Sequence, residues 1–265
     1  MSSTIERSGV GPQLKHWRSV RRISQLELAL LAGTTQRHLS FIESGRSRPG
    51  RAIVIRLAES LRLSLRERND LLTTAGYAPV FKETGLDEES LRPVRSALEQ
   101  ILIGHMPYPA LVVAPYGRVV GANDAVEVFT EDASPELLEP PVNMIRLMLH
   151  PKGMAPRVRN LDEWGRHVIE NLRALSRRSP DARLDEFVEE LASYVPEPAV
   201  GPDHLGFSVP MRLATSDGEL RLITTLTSFA TATDITLAEL HLEAFLPADQ
   251  ESAELLRLRA QRHSR

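Results

Sequence analysis

The chain has 265 residues, 42% hydrophobic and 25% charged, and contains no cysteine. That composition suits a globular protein with room for two domains. The missing thiol excludes disulfides, thiolate zinc or iron–sulfur ligation and a cysteine nucleophile. The net charge of −3 conceals an asymmetry: residues 1–80 hold 13 Lys/Arg against 6 Asp/Glu, and residues 81–265 hold 19 against 29. A basic head on an acidic body points to a polyphosphate partner for the head alone.

The opening MSSTIERSGVGPQLK has no apolar signal segment, and no apolar run approaches the roughly 20 residues that cross a bilayer. The expectation is a cytoplasmic protein with no membrane partner. Met1–Gly11 reads as a loose arm. Pro12 opens a first helix with Leu14, Trp17 and Val20 as its buried stripe. Lys15, Arg18, Arg21 and Arg22 lie on its other sides, as solvated charge or phosphate contacts.

Ser24–Gly45 organises the head. Ser24 with Glu27 three residues on predicts a capped helix that Gly33 ends, and Thr35 caps a second helix that Gly45 closes. Two short helices around a tight glycine turn are the layout of a helix-turn-helix. At about 100° per residue, Gln36, Arg37, Ser40 and Phe41 share one face of the second helix, opposite His38, Leu39 and Ile42. An amide, a guanidinium, a hydroxyl and an aromatic edge suit base edges; the plainer alternative is a helical hairpin with a solvated face. In the helix before it, Leu26, Leu30 and Leu31 are apolar in addition to Leu28, Ala29 and Ala32, so its outer face is expected to pack against the body or a partner chain. The loop SGRSRPGR then carries Arg46, Arg48 and Arg51. A helix over about Ala52–Leu61 follows, and another opens on Ser64…Glu67 and stops at Gly76.

Gln25, Leu28-Ala29, Ala32-Gly33, Thr35-Gln36, Leu39-Ser40, Ile42-Glu43, Gly45-Arg46 and Pro49 make residues from about Leu14 to Ala78 resemble the XRE family, relatives of phage repressors. The phrases RHLSFIESGRSRP, RLAESL and LRERNDLLTTAGYAP resemble more specifically the MmyB-like regulators. The resemblance implies an all-α, five-helix DNA-binding domain over 1–79. Gln36, Arg37, Ser40 and Phe41 would meet bases, and Gln25, Thr35, Arg46, Arg48 and Arg51 would meet phosphates.

Residues 80–91 are polar and acidic and read as a hinge before a body over 92–265. An amphipathic helix (Leu91–Ile103) precedes a hairpin of Ala110–Ala114 and Arg118–Ala122 around Pro115-Tyr116-Gly117. Helices follow at Pro141–Leu149, from Asn160 or Asp162 with Trp164, Val168, Ile169 and Leu172, and at Asp181–Ser193. After the connector Pro196–Gly206 come strands Pro210–Thr215 and Glu219–Phe229 around Asp217-Gly218. Leu237–Phe245 alternates, with Ala238, Leu240, Leu242 and Ala244 on one face and Glu239, His241 and Glu243 on the other. Asp249–Arg262 is a last amphipathic helix with Leu255, Leu256 and Leu258.

GRVVGANDAVEVF resembles the opening of a PAS domain, and the strand–helix–strand order fits an α+β PAS-like sensor fold. EPPVNMIRLMLHPKGMAPRVRNLDEW, DGELRLITT and DITLAELHLEAFLPAD resemble the ligand-binding half of MmyB-like regulators, which implies a small effector, with a long-chain fatty acid as one candidate. Asn143, Arg146, Leu147, His150 and Trp164, among methionines and near Arg157, form the candidate pocket wall. Arg146 and His150, four apart, could face one carboxylate; otherwise Arg146 pairs with an acidic neighbour and the methionines fill core. No hydrolase elbow, phosphate-binding loop, dinucleotide fingerprint or metal-spaced histidine pair occurs, so no enzyme, catalytic residue, metal or cofactor is expected. The expected partners are double-stranded DNA carrying an inverted repeat, a second copy of the chain, and the effector. Ligand binding would change the relative placement of the two heads. A body that only dimerises or binds protein is the alternative.

Overall fold

The computed structural model describes residues 9–196, 209–229 and 231–263. Residues 1–8 of the expected arm and most of the connector Pro196–Gly206, with His204, lie outside the described residues. Two compact units emerge: the chain to Thr84 together with Thr231–Ala238, and Gly85–Ala230 with Glu239 onward.

The first unit packs α1 (Val10–Val20), α2 (Gln25–Leu31), α3 (Gln36–Glu43), α4 (Arg51–Ser60) and α5 (Leu65–Thr74). Their starts follow the local chemistry. The Ser24 hydroxyl accepts from the Glu27 amide at 3.1 Å, Thr35 from His38 at 3.1 Å, and Ser64 and Glu67 exchange both bonds of a full capping box. Gly33 stands at φ 62°, which ends α2 without steric cost. Leu14, Leu28, Leu39, Ile42, Leu57 and Leu71 fill the centre.

Two expectations change here. Val10 and Gly11 are helical, and α1 crosses α3 so closely that a Cβ on Gly11 would stand 2.5 Å from the Ile42 carbonyl oxygen. The close crossing, not arm flexibility, explains this glycine. The head also runs past Pro79. Buried Asn69 accepts from the amides of Val80 and Phe81 and donates to the Phe81 carbonyl. Lys82 then bridges to Asp234, the Thr84 hydroxyl donates to Asp234 at 2.6 Å, and Ile235 is buried, so a segment distant in sequence completes this unit.

The second unit is built on a sheet of β1 (Ala110–Ala114), β2 (Arg118–Ala122), β3 (Met211–Thr215), β4 (Gly218–Ser228) and β5 (His241–Pro247), ordered β2-β1-β5-β4-β3 with antiparallel neighbours. α6 (Arg92–Gly104), α7 (Glu127–Thr130), α8 (Met144–Leu149), α9 (Leu161–Arg178), α10 (Ala182–Ala192) and a terminal helix, Gln250–His263, complete it. This is the α+β order the periodicity predicts. One sheet face carries Leu111, Val113, Leu222 and Phe245 into the core with Met144, Trp164 and Phe187. On the other, a Cβ on Gly121 would touch Leu102 of α6 at 3.4 Å, beside its pair Val112.

Three asparagines stitch the unit together. Asn123 of the PAS-like phrase is buried, accepting from the Ala110 amide and donating to the carbonyls of Leu102 and Tyr108. Asn160 stands before α9 but does not cap it; its side chain holds the backbone of Pro210 and Arg212. Asn143 caps α8.

The last strand departs most from its pattern. Residues Ile235–Ala238 are helical, and β5 starts at His241. His241 pairs with Val113 and Glu243 with Leu111, and partners directly opposite share a face, so both polar residues point to the core side. Leu242 and Ala244, opposite Val112 and Ala110, take the α6 side. Both faces of β5 are covered, so its alternation does not separate inside from water. In the terminal helix Leu256 is buried and Leu258 exposed.

Candidate nucleic-acid interface and effector cluster

α3 presents the surface its sequence predicts. Leu39 and Ile42 are buried, Gln36 and Arg37 are exposed, and Ser40 and Phe41 are partly covered. The Arg37 and Arg46 guanidinium carbons each stand 5.4 Å from the centre of the Phe41 ring. Phe41 therefore works as a plate that orients two cations by cation–π attraction, a role the sequence does not reveal. Among the described residues, no hydrogen bond or ion pair holds the side chains of Gln36, Arg37, Arg46, Arg48 or Arg51. The loop behind them is fixed by buried Pro49, whose carbonyl accepts from the Tyr77 hydroxyl at 2.9 Å.

Two other basic or polar candidates turn inward. Glu43, last in α3, has a buried carboxylate that takes a two-pronged ion pair from Arg18 at 2.7 and 3.0 Å and a bond from the Gln25 amide at 2.7 Å. Arg18 is thus neither solvated charge nor phosphate contact. Its hydrogen bond to Glu43 raises its pKa against the opposing pull of burial. Gln25 spends one N–H on the same carboxylate, which ties α1, α2 and α3 at the foot of the recognition surface. The signal available in the sequence was position: Glu43 follows Leu39 and Ile42 on the buried face. His38 is partly covered and meets the Thr34 hydroxyl at 2.9 Å, Thr35 is exposed at the helix start, and Leu26, Leu30 and Leu31 of α2 are exposed.

In the second unit the candidate cluster is brought together but is already satisfied. Arg146 forks onto Glu190 of α10 at 2.6 and 2.8 Å and lies over the Phe187 ring. That pairing lowers the Glu190 pKa and raises that of Arg146. His150 ends α8 in extended backbone, so the expected helical alignment with Arg146 breaks there. Its Nδ1 accepts from the Lys152 amide, and its ring stands edge-on to Tyr194, whose hydroxyl donates to Glu190 at 3.0 Å. Asn143 donates to the Tyr116 carbonyl. Leu147, Trp164, Met144, Met148 and Met154 are buried in core. Arg157 joins a different group, donating to the carbonyls of Val128 and Phe129 and pairing with Glu131, and burial lowers its pKa. It lines an open polar cleft of about 480 Å³ with Glu131, Asp132, Ala214, Thr215 and Ser216.

Two groups on the core face of β5 have no hydrogen-bond partner among the described residues. His241 Nδ1 is buried without a hydrogen bond, and burial lowers the ring's pKa. Burial pushes the Glu243 carboxyl up to about 7. Among the described residues no three His, Asp or Glu side chains gather as a metal site, and no helix is long and apolar enough to cross a membrane.

α2 and α3 form a helix-turn-helix whose second helix offers an amide and plated guanidinium groups on its outer face, backed by loop arginines that have no hydrogen-bond or ion-pair partner among the described residues. Joined to an α+β body, it defines a DNA-binding transcription regulator with a sensor domain. The model of the MmyB-like transcription regulator ligand binding domain matches residues 94–258, more than half of the chain, and a helix-turn-helix model matches residues 20–68. The chain belongs to the MmyB-like transcription regulators.

No curated protein matches it. Among solved structures, the clp gene regulator ClgR from C. glutamicum is 24% identical over 26% of this chain and 87% of its own, with a TM-score of 0.23. An RNA-binding Light-Oxygen-Voltage receptor is 18% identical over 98% of this chain and 66% of its own, with a TM-score of 0.28. Neither likeness is close enough to carry an argument.

Proposed function

We propose that this regulator acts as a homodimer on an inverted repeat, with half-sites about one helical turn (~34 Å) apart. Gln36, Arg37 and Ser40 read bases, Phe41 holds Arg37 and Arg46 in place, and Thr35, Arg46, Arg48 and Arg51 grip phosphates. Gln25 contributes its remaining N–H. The observation that carries this reading is the set of exposed cations around α3 that have no hydrogen-bond or ion-pair partner among the described residues. The body binds a small effector, apolar or fatty-acid-like, and shifts the population of DNA-binding dimers without catalysing a reaction or holding a cofactor. The family's ligand-binding domain supports the effector. The site of action is the cytoplasm.

Selection from a random duplex pool supplies the operator, after which anisotropy titrations at several salt concentrations test the assignment. Arg37→Ala costs about 1–3 kcal/mol on the operator and less on random DNA. Arg48→Ala weakens both alike and flattens the salt slope by about 0.9. Equal losses on both duplexes for Arg37→Ala would remove it from the reading surface.

The closed Arg146–Glu190 pair and the buried methionines favour a second reading, in which the body dimerises or binds protein without a ligand. Native and denaturing mass spectrometry of the purified chain separates the two. An adduct of a few hundred daltons released on denaturation supports the effector, and a clean mass with no response to added fatty acids supports the second reading.

A further inference from the structure

Strand β4 is longer than the partner on one of its sides. Its ladder to β3 ends at Met211↔Leu222, whereas its ladder to β5 continues to Ser228↔His241. Among the described residues, Ile223–Ser228 therefore has a strand on one side only, and Thr224–Ser228 are all exposed, Leu226 at 62%.

Edges of this kind are normally protected by charge, proline or a bulge. Ile223–Phe229, ITTLTSF, contains none of Lys, Arg, Asp, Glu, Pro or Gly. It is a neutral stretch on a body with a large acidic surplus, so it is where two such bodies approach with least repulsion. Its order is also self-complementary: Thr224-Thr225-Leu226-Thr227-Ser228 reads nearly the same in both directions.

We propose that Ile223–Ser228 pairs antiparallel with the same segment of a second copy, with Leu226 on the two-fold axis. Thr225 then stands opposite the partner's Thr227, and Thr224 opposite the partner's Ser228. Each facing pair joins hydroxyl to hydroxyl, and the two leucines cover one another. Alternation along β4 puts Leu226 on the core side, beside Glu243, and the Thr225–Thr227 pairs on the α6 side. The proposal rests on the homodimer reading above and supplies its surface.

The absence of cysteine makes the test clean. Residues facing each other across an antiparallel pair have Cα atoms about 4.5 or 5.5 Å apart, both within disulfide range. Light scattering on the unaltered chain and mild oxidation of Leu226→Cys are run together. The expected result is a dimer in solution and a dominant disulfide-linked dimer for Leu226→Cys. Leu175→Cys, exposed on α9, stays unlinked. Thr225→Cys and Thr227→Cys link when both are present in one chain and not singly. Leu226→Arg, checked for folding by circular dichroism, raises the dimer dissociation constant at least tenfold. A dimer that survives Leu226→Arg and does not cross-link through Leu226→Cys overturns this surface and leaves the homodimer reading standing. A chain monomeric at tens of micromolar overturns both.

Discussion

The arginines of the head surface and those of the body's cluster carry the same charge and meet opposite fates. Arg37, Arg46, Arg48 and Arg51 have no carboxylate partner among the described residues, whereas Arg146 is held by Glu190 and Arg157 by Glu131 and backbone carbonyls. An arginine is available to a ligand where its own fold leaves the guanidinium unsatisfied, and neither spacing nor local composition reveals that. Arg18 shows the rule inside the head: it lies in the basic unit, yet Glu43 absorbs it.

The largest test of this contrast is Glu43→Ala, which leaves the partly buried Arg18 guanidinium without its counter-charge, with only the Ile23 carbonyl as acceptor, and the Gln25 amide without its acceptor. A loss of about 3–5 kcal/mol in urea unfolding is expected, and the double variant Arg18→Met/Glu43→Leu recovers most of it. An unchanged midpoint for Glu43→Ala would falsify the structural assignment of Arg18 and return it to the phosphate-contact list.

Glu243 gives the next largest effect. The folded chain holds this proton more tightly than the unfolded one, so its contribution to stability is greatest below the ordinary value of 4.5 and declines as pH rises to about 7. Glu243→Gln should match the parent near pH 4.5 and exceed it by up to about 3 kcal/mol at pH 8, at about 1.4 kcal/mol per unit. A pH-independent difference in thermal unfolding would mean the carboxyl is solvated.

Gly11→Ala should cost about 1–3 kcal/mol through its clash with the Ile42 carbonyl. It should also weaken operator binding by displacing the end of α3; wild-type stability and affinity together would show the α1–α3 crossing to be looser than its geometry. Least is expected of Arg146→Met. Both partners of its ion pair are more than a third exposed or close to it, and such pairs contribute within about 1 kcal/mol. A loss several times larger in a denaturant melt would make Arg146–Glu190 a structural clasp comparable with Arg18–Glu43.

Local order in the head was legible in the sequence because its determinants are short-range. Caps at Ser24, Thr35 and Ser64, glycine stops at Gly33, Gly45 and Gly76, and the buried Leu39–Ile42 stripe all act within a few residues. The hairpin of the body and its helical middle were readable for the same reason.

What only the tertiary structure decided depends on partners far away in the chain. Glu43 meets Arg18 across 25 residues and Arg146 meets Glu190 across 44. Thr84 meets Asp234, next to the buried Ile235, across 150 residues in one unit. The alternation in β5 looked amphipathic, yet both its faces are covered, so His241 and Glu243 point toward the core. Period two states that neighbours point opposite ways. Which way is inward is settled by what packs against the sheet, and that is a property of the assembled fold.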